Sequence, residues 1–349
     1  MYAQKTHRLL VIPGDGIGPE VIHESLEVLR HLARSFHLQF DLDMQESWNA
    51  DTFLKFGRCV PEGFIERIPE NYDAILFGAL GDPRIPDMAH GREILLGLRF
   101  KLELYANVRP IRLQDPRLGR LKGVDELDFV VVRENTEDVY VGKGYSKHSG
   151  TDQEACVDES QHSYHGVKRI VEYAFEYACR NKRKKVTLSD KSNAIRFGGA
   201  LWGRVFDDVK QRYPHILADH RYIDSLCTDL ILKPHDFDVI VTTNLFGDIL
   251  SDLGAGLIGG LGYAASANIH PGKIALFEPV HGSAPDIAGK GIANPCAAFL
   301  SLAMMMEYLG YVEMSRVLSS AVTDLVRSFE DPRHVISTKA ITRALLERL

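Results

Sequence analysis

The sequence predicts an α/β protein of about two domains. Three observations lead there. Short aliphatic and β-branched runs bounded by Gly, Pro or Asp recur along the chain, as fully buried strands do. Amphipathic helical stretches lie between them. The length, 349 residues of which 45% are hydrophobic, exceeds what one core of ordinary size holds. Alternation of the two patterns marks helices covering a sheet.

The first run, Leu9 to Ile12, reaches Pro13 and stops. It is too short for the apolar part of a secretion signal and far short of a membrane span, so it reads as a buried strand of a cytoplasmic protein. The loop G-D-G-I-G-P-E follows, with Gly14, Gly16 and Gly18, and a helix is expected from near Glu20. Backbone amides at such a turn can cradle a phosphate, but the spacing is not the G-x-G-x-x-G of a standard dinucleotide fold. Taken alone, the loop reads equally as a tight structural turn. Further buried strands are expected at Ala74 to Phe77, Phe129 to Val132, Lys185 to Leu188 and Val239 to Thr242. From His165 to Arg180, Val167, Ile170, Val171, Ala174, Phe175 and Ala178 follow helical spacing. Pro295 to Tyr308 is apolar nearly all round, as suits a helix lying between layers. Residues 143–163 are polar without a helical period and predict a protruding arm or hairpin. The basic run Arg180 to Lys185 falls where a helix ends, and reads as a solvated terminus.

Charge and cysteine content exclude some functions. Lys plus Arg number 41 against 47 Asp plus Glu, a net charge of -6, which gives neither nucleic acid nor an anionic membrane a reason to bind. Any anion must be met by a local site. Cys59, Cys156, Cys179, Cys227 and Cys296 are odd in number and lack a C-x-x-C pair, so they read as reduced thiols, buried rather than reactive.

The richest stretch is N-L-F-G-D-I-L-S-D, residues 244–252. Asp248 and Asp252 are four apart, on one face of a helix, amid apolar and glycine-rich neighbours. Two like charges so placed suit Mg²⁺ or Mn²⁺, which take carboxylate oxygens, while a solvated helix surface is the alternative. Asp224, between apolar neighbours, is a candidate third ligand. Arg99, Arg109 and Arg133 lie at element ends, Arg133 closing an apolar strand where open α/β sheets bind ligands. Their planar forks suit carboxylates, or else internal ion pairs with Glu103 or Glu134. Tyr140 and Lys191 could serve as acid and base, or be structural.

Together these segments resemble the isocitrate/isopropylmalate dehydrogenase family, the metal-dependent β-decarboxylating dehydrogenases. The carriers are G-D-G-I-G-P-E at 14–20, L-L-G-L-R at 95–99, A-N-V-R-P at 106–110, V-V-R-E-N-T-E at 131–137, D-K-S-N at 190–193, N-L-F-G-D-I-L-S-D at 244–252 and E-P-V-H-G-S-A-P-D-I-A-G-K-G-I-A-N-P at 278–295. The resemblance implies the two-domain α/β fold of that family rather than a standard Rossmann fold. One domain would take residues 1–104 and 258–349, the other 105–257, carrying the arm through which two subunits form a homodimer with shared active sites. It also implies roles. Arg99, Arg109 and Arg133 would hold substrate carboxylates. Asp248 and Asp252 would bind Mg²⁺ or Mn²⁺, with Asp224 and Lys191 supplied by the other subunit. Lys191 would be the general base and Tyr140 the general acid. Glu278, His281, Gly282, Ser283, Asp286, Ile287 and Asn294 would contact the cofactor, and an Asp at 286 favours NAD over NADP by accepting from ribose hydroxyls.

The substrate expected is a 2-hydroxy dicarboxylate. Leu95 and Leu96 resemble the apolar pair that receives an isopropyl group, which favours 3-isopropylmalate and leucine biosynthesis. Arg92 stands where isopropylmalate enzymes usually carry an acid; it would recognise an extra carboxylate or point to solvent. Homoisocitrate, isocitrate, tartrate and D-malate therefore remain alternatives. Outside this class, a non-redox metal-dependent hydrolase and a catalytically silent subunit would use the same residues differently.

Overall fold

The computed structural model describes residues 6–333 and 337–349. Its strands, in chain order, are β1 (Thr6–Gly14), β2 (Gln39–Met44), β3 (Ala74–Ala79), β4 (Ala106–Arg112), β5 (Asp128–Glu134), β6 (Gly144–Lys147), β7 (Ala155–Asp158), β8 (Lys185–Asp190), β9 (Leu217–Tyr222), β10 (Val239–Thr242), β11 (Ala265–His270) and β12 (Ile274–Pro279). The chain divides into two compact units. One takes the residues up to Leu104, Arg112–Glu126 and Gly254–Leu349; the other takes Tyr105–Ile111 and Leu127–Leu253.

In the first unit the strands run in the order β2-β1-β3-β12-β11. β1 pairs in parallel with β2 and β3, β12 pairs in parallel with β3, and β11 returns antiparallel to β12. Leu9, Leu10, Val11 and Ile12 are all buried, so β1 is covered on both faces, which is why it reads as a continuous apolar run rather than an alternating one. Helix Cys296–Tyr308 packs against β11, β12 and helix Val312–Ser328 and is buried almost all round, as its unbroken apolar composition demands. Between β1 and helix Gly18–Ser35 the chain turns with positive φ at Gly14 and Gly16. The turn leaves no room for side chains: a Cβ on Gly14 would sit 1.9 Å from the Ala79 carbonyl oxygen, and one on Gly16 2.0 Å from that of Ser283.

In the second unit β5, β10, β8 and β9 are neighbours in that order and all parallel. Their carboxyl ends therefore lie at one edge, where doubly wound sheets carry their chemistry. Helix Tyr164–Arg180 covers β5, β8 and β10; Ser163 caps it by accepting from the Gly166 amide. The polar segment forms the hairpin β6/β7, every residue of which is exposed. The basic run is a largely exposed helix end, as expected: Arg180, Lys182 and Lys184 are exposed, while Arg183 and Lys185 are partly buried. Arg183 donates to Asp128 at 2.6 Å and Asp238 at 3.0 Å, tying the start of β8 to the neighbouring strand ends. Nor are all the thiols buried. Cys59 and Cys296 are, and burial raises their pKa to about 11 and about 12, but Cys156 and Cys179 are exposed. Among the described residues no helix is long and apolar enough to cross a membrane.

Candidate active site

In the second unit the site grows from the ends of β5 and β10, where Arg133 pairs in register with Thr242. Helix Asn244–Leu257 starts directly after β10, so its first two turns project from this edge. The turn following β5 is held by buried Glu134, whose carboxylate accepts from the Thr136 amide at 3.0 Å, the Thr136 hydroxyl at 2.6 Å and the Glu137 amide at 2.7 Å. Burial pushes the Glu134 pKa up, against those bonds, which lower it. The next residues dock on the helix: Asp138 accepts from the Leu245 amide at 3.0 Å, and Asn244 Nδ2 donates to the Glu137 carbonyl at 3.0 Å. Tyr140 is thereby placed over the helix.

Asp248 is the hub. Its carboxylate accepts from the Tyr140 hydroxyl at 2.8 Å, from Arg109 Nη1 at 3.3 Å and from Arg133 Nη1, and the Arg133 guanidinium lies 5.1 Å from the Tyr140 ring centre. Arg133 is 1% exposed and Arg109 6%, so both forks have left water for carboxylate and amide partners. In place of an internal pair with Glu103 or Glu134, the alternative to a substrate carboxylate, Arg133 meets Asp248. Two further residues of the helix escaped the sequence reading. Asn244 Oδ1 accepts from Arg133 Nε at 2.8 Å, and Ser251 Oγ accepts from Arg109 Nη1 at 2.6 Å. The signal was available: positions 244, 248, 251 and 252 follow the i, i+4, i+7, i+8 rule of a single helix face.

Asp252 lies 3.6 Å from Arg109, which brings both aspartates of the pair to one guanidinium. Burial raises the Asp252 pKa, Arg109 lowers it, and the Asp248 charge raises it again. Two hard oxygen donors a turn apart on one helix face, with the charge of Asp252 disfavoured by burial and by Asp248, form a donor set that fits Mg²⁺ or Mn²⁺. Asp224 does not join them. It pairs with Lys191 at 2.8 Å, which lowers its pKa, and among the described residues no three His, Cys, Asp or Glu side chains form a metal cage within one chain. Lys191 follows β8, whose Ser189 is in register with Thr242 of β10.

The first unit carries the remaining candidates. Arg99 donates to Glu278 at 3.1 Å, and Glu278 also accepts from Asn268 Nδ2 at 2.8 Å. Glu278 is thus a buried partner of Arg99, a role the sequence did not suggest. Leu95 packs partly buried on a core that includes Ile94 and Leu98, and the stretch Arg92–Leu96 is a π-helical turn, a form that often marks functional sites. Arg92 is exposed and its guanidinium is held by Asp87 at 2.8 Å. In the 278–294 segment, His281 is buried with an Nε2 that lacks a hydrogen-bond partner, and burial lowers its pKa. Asp286 and Gly282 are exposed, Ile287 partly so, and space is open around the Gly282 Cα. Asn294 Oδ1 accepts from the Cys296 amide at 3.0 Å at the start of its helix. An unpartnered imidazole nitrogen beside an open glycine and an exposed carboxylate fits a ligand rich in hydroxyls and amides, as a nicotinamide dinucleotide is.

Comparison with known proteins shows the family. A family profile described as isocitrate/isopropylmalate dehydrogenase matches residues 8–346. A protein of Corynebacterium jeikeium named 3-isopropylmalate dehydrogenase is 46% identical over 306 residues, covering 87% of this chain and 88% of its own. One of the same name from Thermobifida fusca is 41% identical, over 99% and 98%. Among solved structures, isocitrate dehydrogenase from Methylococcus capsulatus superposes with a TM-score of 0.87 at 38% identity, covering 98% of this chain and 99% of that one. With a profile that runs nearly end to end and relatives of this identity, the chain belongs to the isocitrate/isopropylmalate dehydrogenase family.

Proposed function

We propose that the protein catalyses NAD- and divalent-metal-dependent oxidative decarboxylation of a 3-substituted malate, with 3-isopropylmalate, an intermediate of leucine biosynthesis, as its substrate. The observation that carries this reading is the Asp248 carboxylate shared by Arg109, Arg133 and Tyr140, with Asp252 beside it. It combines cation ligands, anion receptors and a phenolic acid on one edge of one unit. When bound, the cation would supply Lewis acidity to the substrate hydroxyl and carboxylate, and NAD would accept the hydride.

The chain's own residues account for the rest. Arg109 and Arg133 would hold substrate carboxylates, a role their planar forks suit, and Arg99 is assigned the same role by its motif. Lys191 takes the hydroxyl proton. Tyr140 returns a proton to carbon after carbon dioxide leaves; a phenol is protonated at neutral pH, and burial raises its pKa further. Asp224 and Lys191, paired in one chain, would be presented to the site of a second subunit, so the active form is a homodimer. Asp286 sets the preference for NAD, and free cysteines fit a cytoplasmic protein.

The test is reduction of NAD by a panel of 3-isopropylmalate, isocitrate, homoisocitrate, tartrate and D-malate with Mg²⁺ or Mn²⁺. The highest kcat/KM is expected for 3-isopropylmalate, and no turnover of any acid together with no NAD binding would defeat the reading. One observation favours a second substrate. Arg92 stands exposed at the π-helical turn, its Asp87 partner equally exposed, and a side chain so placed could exchange that partner for an extra substrate carboxylate as in isocitrate.

A further inference from the structure

The turn between β1 and its helix carries a side chain that the proposed chemistry leaves unused. Asp15 is 7% exposed and both its oxygens are engaged. Oδ1 accepts from the Ala50 amide at 2.7 Å; Oδ2 accepts from the Gly81 amide at 3.0 Å and from His90 Nε2 at 3.0 Å. A carboxylate of this kind only accepts, so His90 donates. His90 is itself fully buried, its ring 6.1 Å from that of Phe53, and its Nδ1 has no hydrogen-bond partner. The bond to Asp15 is therefore the polar attachment that fixes the imidazole.

These attachments join two segments that the functional reading needs. The turn that carries Asp15 touches Ser283: the Ile17 amide donates to the Ser283 carbonyl at 2.8 Å, and Cβ atoms on Gly16 and Gly81 would fall 2.0 Å and 2.9 Å from Ser283 atoms. His90 lies in the short helix Ala89–Gly91, directly before the π-helical turn Arg92–Leu96 and the helix bearing Arg99. That start is strained, because Met88 just ahead of it adopts φ +55°, a conformation non-glycine residues rarely take. Strain of this kind persists only where neighbouring bonds hold it. We propose that Asp15 and His90 are positioning residues which tie the helix assigned to the hydroxy acid to the loop assigned to NAD, so that acid affinity depends on the His90–Asp15 bond. The inference rests on the reading of residues 92–99 and 281–287 given above.

The test uses the intact enzyme with His90→Leu, His90→Gln and Asp15→Asn. Losing a hydrogen bond to a charged group, His90→Leu is expected to raise KM for the acid about tenfold or more while KM for NAD stays within about twofold. The amide of His90→Gln carries a donor close to the Nε2 position and is expected to recover KM to within about threefold of wild type. Asp15→Asn loosens both sides and is expected to raise both KM values. Amide hydrogen exchange gives a second readout: faster exchange at 89–101 in His90→Leu with 281–287 unchanged, and faster exchange in both in Asp15→Asn. Wild-type KM and exchange in His90→Leu overturn the proposal. So does an equal rise in both KM values that His90→Gln fails to rescue, which is the mark of a general loss of structure. If His90→Leu does not fold, His90→Asn, whose shorter amide falls short of Asp15, takes its place. Wild-type enzyme that reduces no NAD with any acid defeats the functional reading instead, and an active wild type beside an unaltered variant defeats only this inference.

Discussion

Replacing the two aspartates of helix Asn244–Leu257 one at a time is expected to move stability in different directions. Asp248 is the counter-charge for Arg133, 1% exposed, and for Arg109, 6% exposed. Breaking a buried pair by removing one partner costs about 3–5 kcal/mol because the other charge is left stranded. The Asp248 side chain is 37% exposed, and an Asn in its place still offers one oxygen, so Asp248→Asn is expected to cost about 2 kcal/mol. Asp252 lies 3.6 Å from Arg109 and is 58% exposed; burial and Asp248 raise its pKa by more than Arg109 and Arg133 lower it, an effect that solvent screening at this exposure keeps small. A raised carboxylate pKa means that folding disfavours the ionised form, so the penalty is present above that pKa and disappears as pH falls through it. Asp252→Asn removes the penalty at pH 7 and is expected to leave stability within about 1 kcal/mol of wild type, on the stabilising side.

The assay is thermal unfolding of each variant without added metal, followed by turnover with metal present. At about 1–2 °C per kcal/mol for a chain of this length, Asp248→Asn is expected to lower Tm by about 2–4 °C while Asp252→Asn leaves it level or slightly higher. Both are expected to lose nearly all turnover, since both carboxylates are assigned to the cation. A Tm for Asp248→Asn equal to or above wild type would refute the account of Asp248 as counter-charge to two buried arginines. Full activity in either variant would refute the cation assignment.

Asp115 is buried, and the Arg117 guanidinium beside it lowers its pKa, while Arg117 also donates to the carbonyls of Arg327 and Phe329 at the end of helix Val312–Ser328. A lowered acid pKa gives stability that is present above the unfolded value near 3.9 and lost as pH falls through the folded one, so Asp115→Asn is expected to cost about 1–3 kcal/mol at pH 7 and progressively less in acid, read by urea unfolding at pH 7 and pH 3. Gly16→Ala places a Cβ 2.0 Å from the Ser283 carbonyl oxygen at a residue with φ +59°; it is expected to weaken NAD binding about tenfold or more, measured by titration calorimetry. Arg92→Leu is expected to leave kcat/KM for 3-isopropylmalate within about threefold if Asp87 is the arginine's working partner, whereas a loss of about tenfold or more confined to isocitrate or homoisocitrate would assign Arg92 to an extra carboxylate. Asp286→Ala is expected to reduce the preference for NAD over NADP about tenfold or more, by removing a carboxylate that repels the 2'-phosphate, as seen in the ratio of kcat/KM values.

What the sequence made legible follows from the kind of interaction involved. β1, β3, β5, β8 and β10 are buried parallel strands, and burial on both faces writes itself as an unbroken apolar run, so all five stood out. The ends were less visible: β1 extends back to Thr6, and helix Gly18–Ser35 begins two residues before Glu20, because glycine and proline there serve a turn closed by distant carbonyls. At the site, single helical faces were readable and long-range partners were not. Asp248 and Asp252 declared themselves by spacing, whereas Glu278, 179 residues from Arg99, and Asp15, 75 residues from His90, gave no local sign of their bonds.

The arginines show why this matters for function. For each candidate guanidinium the alternative to a substrate carboxylate is an internal pair with Glu103 or Glu134, and the structure gives each a remote acid, Glu278 for Arg99 and Asp248 for Arg109 and Arg133. Glu134 is turned instead onto its own turn, where it fixes the backbone that presents Tyr140. A neighbouring acid would neutralise the arginine wherever the chain went. A remote acid does so only in the folded protein, and in the case of Asp248 it is the same group that a cation needs. The forks proposed for substrate carboxylates thus lie against the carboxylate proposed for the cation. A cation held by Asp248, as proposed, would compete with Arg109 and Arg133 for its negative charge and leave both guanidinium groups to an anionic substrate; affinity for the hydroxy acid, measured by titration calorimetry, is then expected to rise with Mg²⁺ or Mn²⁺, and an affinity unchanged by either metal would refute this coupling.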